Sequence, residues 1–335
     1  MTSSTAQTIT SRLGRGTISA AISLSLLAAA AFVLYQLLRD IDADKILAAL
    51  DGQSIKKIAT AGAFVIAGYF TLTFYDLFAL RTIGHNQVPY SAAALASFTS
   101  STIGHSLGAA VLTGGLIRLR IYAHWGLTVA DVAKIAVVTG MTFCLGNILL
   151  LGSAIAFAPA AASAVDHLPH WVNRALGLTG LFGIVCYLAW LAPRSRTVGW
   201  SGWRLTLPDP RLTLVQIGIG GVDLSLVTLA MFMLLPAAPA VSPVTVLVTF
   251  LTATLLGTVS HAPGGLGVIE ATMLIGLAQF QREELLAALI TFRALYFVLP
   301  LFFATLSLGL RELRVLARPR FDATQSECSR PPKTL

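Results

Sequence analysis

Charge is scarce in this chain. Only 11% of its 335 residues are Asp, Glu, Lys or Arg, where a soluble domain carries roughly a quarter. So little charge excludes an ordinary water-soluble domain. Cysteine is scarce too: Cys144, Cys186 and Cys328 show no CxxC spacing, which argues against a disulfide framework or a zinc site. Signatures of membrane enzymes are also missing. There is no HExxH and no GxGD, and Ala288 stands where an EExxxR pattern beginning at Glu283-Glu284 needs arginine. The expectation is a protein that is not an enzyme, with no catalytic residue, no metal and no cofactor.

Apolar sequence fills the space instead. Hydrophobic residues make up 56% of the chain, and the mean hydropathy is +0.78. Runs of about 18 residues or more with at most one charged residue read as membrane helices. They fall at Thr17–Leu38, Ile58–Leu80, Ser91–Ile117, Ile135–Pro159, Ala175–Ala192, Leu212–Leu235 and Leu285–Leu310, with a further uncharged stretch from Leu224 to Ile269 broken by four prolines. Residues 28–31 offer a small-residue cleavage site after Arg12 and Arg15, but the apolar run continues to Leu38, so an uncleaved first span is expected. The division predicted is a cytoplasmic segment 1–16, a transmembrane domain 17–310 and a basic cytoplasmic tail 311–335. An all-α polytopic bundle of about seven or eight spans follows.

The formal net charge of +8 does not point to nucleic acid, because the basic residues sit in short gaps between apolar runs and serve orientation. If every run crosses once from a cytoplasmic N-terminus, the loop holding Arg194, Arg196, Arg204 and Arg211 lands outside. If Ser91–Ile117 enters and leaves on one side, 16 of the 23 basic residues become cytoplasmic. The charge bias therefore predicts a re-entrant hairpin at 91–117, which protein or a water-filled cavity must surround. Both termini then lie in the cytoplasm.

The stretch "SHAPGGLGVIEATMLIGL", residues 260–277, breaks the next long apolar run. Pro263 ends a helix. Gly264, Gly265 and Gly267 free the backbone to turn, and a helix restarting near Val268 would aim its positive end into the membrane. Setting Gly114-Gly115 over Gly264-Gly265, an offset of 150, places Arg120 over Glu270. Two such units entering from opposite faces would be the inverted repeat of a transporter, with its site between them near the midplane.

"SHAPGGLGVIEA" resembles the Pro-Gly-Gly-Leu-Gly-x-x-Glu signature of the lysylphosphatidylglycerol synthase transmembrane family, the flippase-like domain of the multiple peptide resistance factor. Pro263, Gly264, Gly265, Leu266, Gly267 and Glu270 carry the match. "REELLAALITFRALYFVLP", with Arg293 and Pro300, looks like that family's last helix. The resemblance implies a multi-pass protein of the bacterial inner membrane that moves lipid between leaflets. This chain ends about twenty residues past its last span, so aminoacyl transfer by a soluble synthase domain is not expected. Family members are linked to aminoacylated phospholipids, polyprenyl-phosphate lipids and hopanoid-related lipids.

Candidate substrate-binding residues are the ionisable groups within these runs, functional candidates by default in lipid. Glu270 holds a cationic headgroup, carries a proton, or caps a helix start. Arg293 meets lipid phosphate or pairs with Glu270. Arg118 and Arg120, where the first hairpin meets the cytoplasm, bind phosphate or fix topology. His105 and His261 are packed histidines or proton relays. Asp76 and Asp223 pair with a buried arginine or line the pathway, and an interfacial position is a further reading for Asp76 alone. Trp125, Trp200 and Trp203 mark the interface. The expected function is a lipid flippase whose partner is a membrane lipid, with a homo-oligomer as a further partner expectation. The alternatives are a small-solute or ion transporter, a membrane enzyme of lipid metabolism, or a scaffold.

Overall fold

A computed structural model describes residues 52–107, 110–166, 168–193, 196–200, 203–260 and 262–317. The first expected span, His261, Arg194, Cys328 and the tail from 318 onward lie outside the described residues. The chain is a helical membrane bundle. In order it runs α1 (Ile55–Thr82), α2 (Tyr90–Leu107), α3 (Ala110–Tyr122), α4 (Val129–Phe157), α5 (Pro159–Asp166), α6 (His170–Leu191), α7 (Pro210–Leu234), α8 (Pro243–Val259), α9 (Val268–Gly276), α10 (Arg282–Arg293) and α11 (Leu299–Ala317). Helices α1, α4, α6, α7 and the continuous α10–α11 rod are each long and apolar enough to cross a membrane.

Local chemistry explains where the helices begin. Thr128 and Asp131 form a reciprocal capping box at the start of α4, satisfying amide groups that a first turn otherwise leaves bare. Pro210 and Pro243 open α7 and α8, where a missing N–H costs nothing, and Asp209 and Ser242 cap them. One feature departs from the all-helical expectation. Thr197–Trp200 (β1) and Trp203–Thr206 (β2) form a small antiparallel hairpin. Its Leu205 is buried in the bundle and Trp203 packs beside it.

Two packed cores, one above the other, reveal how the helices are threaded. The first gathers Phe78 and Leu80 from the end of α1, Ala92 and Ile103 from α2, Ile117 and Tyr122 from α3, Leu191, Leu205, and Leu301 and Leu308 of α11. The second gathers Ala61 and Val65 from the start of α1, Leu234, Val246 and Phe250, Met273 and Leu277 of α9, and Leu285 of α10. Both ends of the α2–α3 unit therefore lie at one end of the bundle, and both ends of α8–α9 lie at the other. Hydrogen bonds pin the same arrangement: Lys57 Nζ donates to the Leu235 carbonyl at 2.9 Å, and Arg311 Nη2 reaches the Ile121 carbonyl at 3.4 Å. Each unit is a helical hairpin that turns back inside the bundle. The turn of the second, Pro263–Gly265, packs against α2 of the first.

Small residues permit these close crossings, as is usual between membrane helices. A side chain on Gly146 of α4 would fall 2.5 Å from the Gly220 carbonyl carbon of α7. One turn away, Gln216 Nε2 donates to the Val138 carbonyl at 3.1 Å and to Thr142 Oγ1 at 3.0 Å, tying the same two helices.

Candidate functional site

The first hairpin carries a buried ion pair. Arg118 Nε lies 3.1 and 2.9 Å from the two oxygens of Asp76, and its Nη2 donates to Oδ1 at 2.7 Å. The Tyr122 hydroxyl donates to Asp76 Oδ2 at 2.8 Å. Asp76 is 0% exposed and Arg118 only 7%. Of the sequence alternatives for Asp76, pairing with a buried arginine holds and the interfacial position does not: the carboxylate reaches from α1 to Arg118 and Tyr122 of α3. Arg118 is not a phosphate fork at the hairpin's mouth, because its bidentate face is filled by a carboxylate of matching shape. Gly114 makes room for it: a Cβ there would sit 3.2 Å from the Ser100 carbonyl oxygen and 3.4 Å from Arg118 Nη1.

The second hairpin is broken where the sequence says. Gly264, Gly265 and Gly267 adopt φ of +59°, +62° and +78°, a region costly to other L-residues. At Gly265 a side chain would also strike Ile269, 2.7 Å away. Helix α9 then restarts at Val268. Glu270, in its first turn, accepts the Gly267 N–H on Oε2 at 2.7 Å and pairs through Oε1 with Arg293. Arg293 Nη1 donates to the Gly264 carbonyl at 3.0 Å, and its guanidinium lies 5.6 Å from the centre of the Phe297 ring. One arginine thus ties a strained turn, a helix cap and the next helix together. Directly beyond it, Ala294–Val298 forms a π-helical turn, a wide turn often found at functional sites.

The 150-residue alignment matched the wrong features. Gly114 and Gly115 are ordinary helical positions inside α3, and the first hairpin turns before Ala110. Arg120 is therefore not the counterpart of Glu270. The counterpart of the Glu270–Arg293 pair is Asp76–Arg118, with roles exchanged. The first hairpin supplies the arginine and the preceding helix the acid, while the second supplies the acid and the following helix the arginine. Tyr122 was missed by sequence reasoning, which offered a buried arginine as a partner for Asp76 without naming Arg118. The available signal was an aspartate inside a charge-free run, which burial obliges to find a partner.

The remaining candidates are dispersed. Arg120 is half-buried near the end of α3, and His105 lies exposed on α2. Asp223, at the middle of α7, is 4% exposed. Its Oδ2 accepts the Tyr75 hydroxyl at 3.0 Å, and Oδ1 is buried without a hydrogen-bond partner. Nearby, the Tyr69 hydroxyl donates to the Tyr296 carbonyl in the π turn at 2.9 Å. The expectation that Asp223 meets a buried arginine is not met among the described residues, where buried Arg118 and Arg293 are engaged elsewhere. Among the described residues no group of three His, Cys, Asp or Glu side chains gathers as for a metal.

Known sequences resemble this chain. The uncharacterized protein slr0712 of Synechocystis is 30% identical over 283 residues, 84% of this chain and 88% of its own length. This chain belongs to its family. The inner membrane protein YbhN of Escherichia coli is 29% identical over 254 residues, 74% of this chain and 77% of its own, so the family includes an inner-membrane protein. No protein-family model matches the chain. Membership agrees with the apolar bundle and leaves the lipid-carrying role to be argued from the site.

Proposed function

We propose that this protein is a lipid transporter of the bacterial inner membrane, and not an enzyme. The observation that carries the reading is the pair of helical hairpins, closed by opposed arginine–carboxylate pairs, that reach into the bundle from its two ends and meet inside. Hairpins of this kind flank the substrate path in alternating-access carriers. The end holding Arg81, Arg120, Lys134, Arg196 and Arg204 is cytoplasmic by the positive-inside rule.

The two pairs take different parts. Asp76–Arg118 is a fixed brace. Glu270–Arg293 is an exchangeable clasp, with the Glu270 side chain 21% exposed beside a backbone already held in a left-handed turn. An arriving lipid phosphate takes the place of Glu270 on Arg293, and the freed carboxylate keeps the α9 cap or receives a cationic part of the headgroup. Exchange lets a charged headgroup pass without ever being unpaired in hydrocarbon, which is the main barrier to spontaneous movement. Arg120, near the outer end of the first hairpin, serves as the approach, and His105, near its inner turn, meets a cationic part of the headgroup or passes a proton deeper on the path. The substrate class is an anionic or aminoacylated phospholipid, or a polyprenyl-phosphate lipid, as the resemblance of residues 263–270 to the flippase-like family suggests.

Proteoliposomes carrying headgroup-labelled phosphatidylglycerol test this. The protein should accelerate exchange of label between leaflets, and Glu270→Gln and Arg293→Ala should each slow it at least about tenfold, the equivalent of one lost charged contact. Undiminished exchange in both variants sinks the clasp. Ion flux without lipid movement would assign the same hairpins to a small-solute carrier.

A further inference from the structure

Asp223 has no role in the clasp or the brace, yet it occupies the middle of a membrane helix. A buried carboxylate without a cation costs several kcal/mol unless a proton, an ion or a ligand group neutralises it. No arginine, lysine or histidine forms an ion pair with it among the described residues. Its Oδ1 faces Gly68 of α1, where an added Cβ would still stand 3.8 Å away. A metal ion would need several oxygen ligands at once, and among the described residues the Tyr75 hydroxyl is the one group bonded to this carboxylate. What the place fits is a proton.

We infer that Asp223 is a proton-carrying site that couples the transport cycle proposed above to the proton gradient. On loading, an O–H bond forms on Oδ1 as hydronium gives up a proton and leaves as water. On release the bond breaks and the proton returns to water on the other side. The ionisable neighbours are phenols: Tyr75 of α1, which bonds the carboxylate, with Tyr69 of α1 and Tyr296 of the π turn close by. Helix α8 carries no acidic or basic residue, α4 carries Asp131 and Lys134 only in its first two turns, α6 has His170 and Arg174 only at its start, and Arg293 of α10 is held by Glu270.

The same neighbours connect Asp223 to the clasp. Tyr69 bonds the Tyr296 carbonyl, and their rings lie 5.4 Å apart. Tyr296 stacks on Phe292 at 5.2 Å and 14°, immediately before Arg293. A change of charge on Asp223 acts on Tyr75 and on α1, and α1 holds the π turn that follows the clasp. The π turn is the element able to shift, since its wide hydrogen bonding can relax to an α-helical turn.

Two measurements test the assignment separately. In purified protein reconstituted in phosphatidylglycerol and phosphatidylcholine, infrared difference spectra taken from about pH 5 to about pH 9 should show the carbonyl stretch of a protonated carboxylic acid. The band should vanish in Asp223→Asn and shift in Tyr75→Phe, which keeps the carboxyl but removes its bonded hydroxyl. In proteoliposomes with labelled phosphatidylglycerol, an imposed pH gradient should produce leaflet asymmetry approaching tenfold per pH unit for one proton per lipid. Asp223→Asn should equilibrate lipid without building asymmetry. No Asp223-dependent band, or the same asymmetry in Asp223→Asn, overturns the proposal. A parent that moves no lipid overturns the transport reading, and the infrared titration then decides the proton site alone.

Discussion

The two hairpins solve the same problem by different means. Both bring an arginine and a carboxylate together inside an apolar bundle. In the first, unbroken helices meet, Asp76 is wholly enclosed, and Tyr122 adds a third hydrogen bond. In the second, three glycines hold left-handed turns, the acid is partly open, and a π turn follows the arginine. A pair fully satisfied by rigid helices braces a fold. A pair set on glycine turns, with its acid partly open, leaves room for the exchange of partners proposed above. The lesson is that the charges alone do not distinguish brace from clasp, and the backbone beneath them does.

The largest expected effect breaks the brace. Asp76→Ala leaves Arg118 buried and unpaired, at a cost of about 3–5 kcal/mol, and should lower the detergent-solubilised melting temperature more than any change at Glu270. Replacing both partners together, Asp76→Leu with Arg118→Met, should recover most of that loss. If the single variant melts like the parent, the brace is not structural.

Next comes the backbone of the clasp. Gly265→Ala meets both a positive φ and the Ile269 side chain at 2.7 Å, so it should destabilise by about 2–3 kcal/mol. Glu270→Gln keeps an acceptor for the Gly267 N–H but loses the charge facing Arg293, costing about 1–2 kcal/mol. Its larger signature should be in lipid exchange, and a variant that loses stability without losing exchange would make the second pair a brace as well. The smallest effect is expected at Gly114→Ala. There the helical backbone favours alanine by about 1 kcal/mol, which offsets the tight 3.2 Å approach to Ser100, so the net change in melting should stay under about 1 kcal/mol. A large loss at Gly114 and none at Gly265 would reverse the comparison.

Much of this was legible beforehand. The break at Pro263–Gly267 and the restart at Val268 follow from residues whose effect is local: proline removes a donor, and glycine admits left-handed turns. The first hairpin was legible from the placement of basic residues, because a hairpin that returns to its own side changes the parity of every later loop. The Glu270–Arg293 contact stood among the sequence alternatives, since a capping acid and a lone arginine in neighbouring apolar segments have few other partners. The glycine pair at 114–115 misled because glycine serves two ends: turning a chain, as at 264–265, and letting helices approach, as at 114. Residue type does not say which.

By itself the sequence determined a membrane bundle, its helix starts and the site of its broken turn, because hydropathy, capping and backbone conformational preference act over a few residues. Only the tertiary structure decided that Arg118 is held by Asp76, 42 positions away, and that Asp223 has one oxygen left without a partner. Which buried charges are matched depends on where helices cross, and crossings are set by packing over the whole bundle.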